Sequence, residues 1–175
     1  MDIKDSCTTL EIALEQDQPF AYADLSRRDI RGLIFHLLYA MESFDYQTSL
    51  SAIVDDFNRG FNLDIPLDSE SVAIAQHVID ARETLDKEML PFLANWRLER
   101  IGVCTKLVLR LAIWELEQQQ TPATIVINEA IELVKCFAEK DAYRFVNGVL
   151  DEYAKAHNYP VESKKEPVPV NNECE

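Results

Sequence analysis

Glycine is scarce in this sequence. The 175 residues hold four, at 32, 60, 102 and 148, too few and too scattered for a glycine-rich phosphate loop or a GxSxG nucleophile elbow. Cysteine is equally thin: Cys7, Cys104, Cys136 and Cys174 stand far apart, with no CxxC pair. Zinc sites use closely spaced ligand pairs and disulfide scaffolds use dense cysteines. These four read as reduced thiols, with Cys104 and Cys136 buried on helices. The three histidines, His36, His77 and His157, include no two that are four residues apart, which removes the HExxH metal site. No apolar run approaches the roughly 20 residues that span a bilayer. The N-terminus has no basic stretch leading into an apolar one, so no signal peptide is expected. Acidic pairs such as Asp55–Asp56 and Asp151–Glu152 read as a solvated face. The expectation is a cytoplasmic protein with no membrane attachment, metal, cofactor or enzymatic activity.

Negative charge is what the chain has in excess. Its formal net charge is −14, which opposes a simple electrostatic grip on nucleic acid. The excess is unevenly spread. Residues 1–25 carry six acids against Lys4, and residues 156–175 carry four acids against two lysines. The middle, 26–155, has 21 acids and 14 bases. Half of the surplus therefore lies in the terminal segments.

Composition divides the chain into an acidic extension over 1–25, a helical domain over 26–156 and a disordered tail over 157–175. The tail has Pro160, Pro167 and Pro169 and no apolar period. A short helix is expected in the head around Thr8 to Glu15. The first strong helix opens at Ser26, a good N-cap, and repeats apolar residues at Ile30, Leu33, Ile34, Leu37, Leu38 and Met41. A second helix covers Ser49 to Phe57, followed by a loop from Asn58 to Pro66. A third, capped by Asp68 or Ser69, runs to about Glu88. Leu93 to Arg97, Gly102 to Glu117, Thr124 to Phe137 and Ala142 to Ala156 complete the set. No alternating strand pattern rises above background. About seven helices with short connections make an all-α domain, a description shared by many regulators and interaction modules.

Three segments carry more than periodicity. In Ser26-Arg27-Arg28-Asp29-Ile30-Arg31, three arginines occupy the first turns of a helix, where the dipole favours acids. Guanidinium forks bind phosphates bidentately; equally, the cluster can pair with Asp24 and Asp29 as ordinary surface. In the apolar stretch Thr121 to Lys135, the polar Asn128, Glu129 and Glu132 read better as buried groups tied to adjoining backbone than as ligand contacts. In Asp141 to Leu150, aromatic and basic residues interleave at a helix start, the composition that stacks unpaired bases and meets phosphates. On composition alone Phe145 is a core residue, and Gly148 marks close helix packing.

Taken together, these segments resemble the NusB family. The resemblance is carried by the Arg-rich helix ending in Leu38-Tyr39-Ala40, by Leu109-Arg110-Leu111-Ala112-Ile113-Trp114-Glu115-Leu116, by Ile127-Asn128-Glu129-Ala130-Ile131-Glu132-Leu133, and by Phe145-Val146-Asn147-Gly148-Val149-Leu150. It covers residues 26–155. It implies two packed three-helix subdomains and a non-enzymatic transcription antitermination factor. It implies binding of boxA-type single-stranded RNA of ribosomal RNA operons together with the ribosomal protein NusE, acting on the RNA polymerase elongation complex with other Nus factors. Position by position, the resemblance assigns RNA contact to Arg27, Arg28, Arg31, Tyr39, Asp141, Arg144 and Phe145, and partner contact to Lys106, Arg110 and Trp114.

The sequence departs from that pattern in places. Asp29 stands where a third base is common, Ala138 and Ala142 where Gly and Ser are frequent, and Thr105 where an acid often precedes the lysine. With a base lost and acid beside the site, RNA binding by the isolated chain should be poor and should lean on NusE. Two other readings remain open. One is a protein-interaction module of the same fold that has lost most RNA binding. The other is an RNA-targeting domain for a ribosomal RNA methyltransferase, which requires a separate catalytic subunit because the chain has no room for one. The acidic head is also a candidate autoinhibitory cover for the arginines.

Overall fold

The computed structural model describes residues 20–94 and 96–160. Cys7, Cys174, the expected helix at Thr8 to Glu15 and the tail beyond Pro160 lie outside the described residues. Seven α-helices carry the described chain: α1 (Arg27–Ser43), α2 (Leu50–Phe61), α3 (Glu70–Asp80), α4 (Arg82–Met89), α5 (Val103–Gln118), α6 (Ala123–Phe137) and α7 (Ala142–Ala156). The fold is all-α apart from one two-residue parallel pairing, β1 (Phe20–Ala21) against β2 (Leu63–Asp64).

Helix α1 starts where its sequence says. Ser26 accepts from the Asp29 amide, and the Asp29 carboxylate accepts from the Ser26 amide, which closes a capping box. Its buried face is Leu33, Ile34, Phe35, Leu37, Leu38 and Met41. That face packs on α2 and α3 to form one three-helix unit, and α5, α6 and α7 form the other. Helix α1 also touches α5, which joins the two. Helix α5 is apolar nearly all round, with Leu107, Val108, Leu109, Leu111, Ala112, Ile113 and Leu116 buried, the pattern of a helix enclosed by others.

Several boundaries move. Helix α2 runs a turn past Phe57, through Gly60, and stops only at Asn62, which adopts the left-handed conformation at φ 51°. Asn58, read as loop, is helical; its amide group bonds both the N–H and the C=O of Ile65 and so folds the following segment back. The single helix expected from Ser69 to Glu88 is two. It breaks at Ala81, and Arg82 donates to the Ile79 carbonyl at 3.1 Å. The segment from Leu93 is a turn with Ala94 at φ 52° and a 3-10 turn over Leu98–Arg100, not an α-helix.

Both ends of the helical domain reach further than composition indicates. Tyr22 and Leu25 pack on the core, and the Ser71 amide donates to the Tyr22 hydroxyl at 3.3 Å. Beyond α7, His157 and Tyr159 stack near the buried Tyr153, with the His157 ring 4.1 Å from it. The Tyr153 hydroxyl donates toward two carboxylates, Glu117 at 3.1 Å and Glu88 at 3.3 Å. Burial, and then the neighbouring Glu88, push the Glu117 carboxyl up to about 7.

Candidate nucleic-acid interface

The start of α1, the middle of α6 and the start of α7 meet at an open groove of about 570 Å³. Arg28, Asn128, Ile131, Glu132, Lys135, Tyr143, Arg144 and Asn147 line it. Lys135 and Arg144 both lie near the face of Tyr143, at 5.8 and 5.7 Å from the ring centre, and Arg144 Nε donates to the Tyr143 hydroxyl at 3.1 Å. An aromatic ring flanked by cations, with two amides beside it, can stack a base, bond its edge and meet its phosphates.

The three N-terminal arginines take different places. Arg27 is exposed and has no ion pair among the described residues. Arg28 lines the groove and is half exposed, held by Glu129 at 3.2–3.3 Å. That hydrogen bond, and then the charge of Glu129, raise its pKa. Arg31 is largely buried, with Nε and one terminal nitrogen on Glu115 at 2.8–3.1 Å. Burial opposes its charge, and the Glu115 carboxylate more than offsets this. The ion pairs of Arg28 and Arg31 are thus with acids on α6 and α5, not with the adjacent Asp24 and Asp29.

The polar residues of α6 are not buried ties to backbone. Asn128 is exposed, Glu129 holds Arg28, and Glu132 pairs with Lys135 at 2.7 Å. Tyr39 is 45% exposed at the far end of α1. Asp141 opens α7 from the left-handed region, at φ 71°. Phe145 is half-buried and lies 5.6 Å from the ring of Trp96. Gly148 is exposed, and a Cβ there would meet nothing within 4 Å, so helix packing is not its reason. Sequence reasoning passed over Lys135, Tyr143, Asn147 and Trp96. The first three were legible as neighbours of Asn128 and Arg144 at helical spacing; Trp96 carried no periodic signal.

Comparison with known proteins identifies the family. The sequence profile of the NusB family matches residues 28–155. The chain belongs to the NusB family. The transcription antitermination protein NusB of Staphylococcus aureus strain JH9 is 33% identical over 132 residues, 75% of this chain and all of that protein; that of strain Newman matches equally. A solved structure of T. maritima NusB superposes with a TM-score of 0.66 at 29% identity, covering 78% of this chain and 94% of that one. The protein is thus an all-α transcription antitermination factor of the NusB family, a family of transcription factors rather than of enzymes. Among the described residues no helix is long and apolar enough to cross a membrane.

The departures from the NusB pattern now have local causes. Asp29 is the third residue of the capping box, so its carboxylate serves the helix start. Ala138 is extended, at φ −113°, and needs no glycine. At Gly102 a Cβ would lie 2.2 Å from the carboxylate of the exposed Glu139, whose side chain would have to swing aside. That carboxylate sits at the N-terminus of α5, within 3.4 Å of the Thr105 hydroxyl, where unpaired amides favour an anion.

The three positions assigned to partner contact differ in freedom. Arg110 is buried, paired with both Asp86 oxygens at 2.7 Å and with Glu42 and the Tyr46 hydroxyl at 3.1 Å. Lys106 reaches Glu42 at 2.9 Å. Burial opposes ionisation of Glu42, but hydrogen bonds from Tyr46 and Lys106 hold its pKa below the usual value; burial and Glu42 in turn push Tyr46 up to about 12. Trp114 stacks on His77, 5.8 Å away. Cys104 and Cys136 are half-buried rather than enclosed, and burial pushes the Cys104 thiol up. Burial likewise lowers the His36 imidazole, wedged edge-on against Phe137.

Proposed function

We propose that this NusB-family protein binds boxA-type single-stranded RNA together with NusE, using the groove between α1, α6 and α7, and so regulates termination by RNA polymerase with other Nus factors. The observation that carries the reading is the meeting of Arg28 with Tyr143 and Arg144 in one open groove, across more than 100 residues of sequence. Tyr143 stacks a base, Asn128 and Asn147 bond base edges, and Arg28, Arg144 and the nearby Arg27 take phosphates. Phe145, Asp141 and Tyr39 border the RNA path. Arg31 acts at one remove, holding α1 on α5 through Glu115. The partner surface is the α5 side, where Lys106 and Trp114 make contact and the buried Arg110 fixes their helix. The protein works in the cytoplasm.

Net charge narrows the mechanism. At −14, the chain repels RNA at long range, and a basic partner offsets this. Fluorescence anisotropy with labelled boxA-type RNA tests the proposal. Binding is expected to be weak for the protein alone and tight once NusE is added; absence of binding at low salt with NusE present overturns it. A second reading, a protein-interaction module with little RNA binding, draws support from the carboxylates on Arg28 and Arg31. It predicts capture of NusE without RNA.

A further inference from the structure

Among the described residues, eight of the fourteen lysines and arginines are tied to acids. Among the described residues, six lysines and arginines have no ion-pair partner: Arg27, Lys87, Arg97, Arg100, Lys140 and Arg144. Four of the six lie in or beside two loops, before α5 and before α7. Those loops are neighbours in space. Trp96 lies 5.6 Å from Phe145, and the Glu139 carboxylate covers Gly102 and reaches Thr105.

Backbone hydrogen bonds hold residues 96–101 of the first loop. The Trp96 amide donates to Leu93, that of Arg100 to Arg97 and that of Ile101 to Leu98. Leu98 and Ile101 pack on the core. Trp96, Arg97 and Arg100 are exposed, and Trp96 keeps 57% of its surface open. An open indole beside two guanidinium groups that have no ion pair among the described residues is a poor arrangement for a lone folded chain and a good one for a stacked base between phosphates.

We propose that residues 96–100 form a second RNA-binding element: Trp96, backed by Phe145, stacks an unpaired base, and Arg97 and Arg100 take the flanking phosphates. This rests on the reading of the groove as an RNA site and lengthens it. Arg144 lines the groove and Phe145 follows it in the first turn of α7, so a strand leaving the groove round that turn arrives at Trp96. Single-stranded RNA is favoured over a protein ligand by charge. Across the two loops Arg97, Arg100, Lys140 and Arg144 outnumber the exposed Glu99, Glu139 and Asp141, a local excess of cations in a chain that carries −14 overall.

The test uses the full chain with NusE and a labelled boxA-type RNA carrying unpaired flanks. RNA should quench tryptophan emission in the wild type, and Trp96→Leu should lose that component while the signal from Trp114 remains. Trp96→Ala should weaken binding roughly five- to 150-fold, the range for one stacked base. Arg97→Ala with Arg100→Ala, both on the exposed loop, should lower the salt slope by about 1.4, or about 0.7 for each phosphate contact with a single strand. Circular dichroism confirms that each variant folds, and the wild-type quench needs no variant. If these substitutions leave affinity, slope and quench unchanged while Arg28→Ala weakens binding, the loop is idle and the groove reading stands. If the substitutions weaken NusE binding without RNA, the patch is a protein face and the proposal fails. If wild type with NusE binds no RNA, both readings fail.

Discussion

At the scale of single residues, the arginines divide by what holds them. Arg110 is enclosed, with Asp86 and Glu42 on its guanidinium. Removing it strands two partly buried carboxylates, so Arg110→Ala should lower unfolding stability by about 3–5 kcal/mol. Urea denaturation reads this directly, and a change under about 1 kcal/mol would contradict the enclosed network, since that is the scale of an exposed pair. Arg28 is the opposite case. Its side chain is half exposed although paired with Glu129, so under the proposed function Glu129 would compete with phosphate for the same guanidinium at little cost to the fold. Glu129→Gln should therefore tighten RNA binding at low salt while leaving the melting temperature nearly unchanged; weaker binding would mean that Glu129 itself orients Arg28 toward the RNA.

At the scale of elements, the glycines and the carboxylate pair give separate tests. Gly148 sits in α7 with open space where a Cβ would go. Gly148→Ala should stabilise the protein by up to about 1 kcal/mol through helix propensity alone; a loss of stability in thermal melts would restore the packing explanation. The Glu117 carboxyl is raised from its ordinary 4.5 to about 7. The fold therefore favours its protonated form. That contribution is complete below the ordinary carboxylate range and is lost as pH rises through 7. Glu42, held low, acts in the opposite sense: its contribution is present above the ordinary range and lost in acid. The Glu117 contribution should fall between about pH 4.5 and about pH 7, and Glu117→Gln should flatten that part of the stability curve. A variant with the wild-type pH slope would show that burial and Glu88 do not hold the proton there.

These elements also show what sequence can and cannot carry. The 3.6-residue period and the Ser26 box set the start and inner face of α1, because both are local. The Ala81 break was invisible because apolar spacing continues across it to Leu85 and Met89, with no glycine or proline to mark it. The last turn of α2 was lost to the loop reputation of Asn58 and Gly60. The pairing of Arg28 with Glu129 spans 101 residues, and the contact of Trp96 with Phe145 joins two separate stretches of chain. No local pattern encodes either, so the candidate site was legible as two separate fragments but not as one groove.

At the scale of the whole molecule, two three-helix units share α1 and α5 as their joint, and the groove proposed for RNA opens where α1 and α7 begin. The acidic surface around it makes salt the sharpest probe. The most direct measurement is the affinity of the protein–NusE complex for boxA-type RNA across a salt series, for wild type and for Arg28→Ala with Arg144→Ala. Without these two phosphate-binding guanidinium groups, the slope of log affinity against log salt for a single strand should be shallower by about 1.4, with RNA binding weakened and NusE binding unchanged. An unaltered slope and affinity in the double variant would contradict the assignment of this groove to RNA.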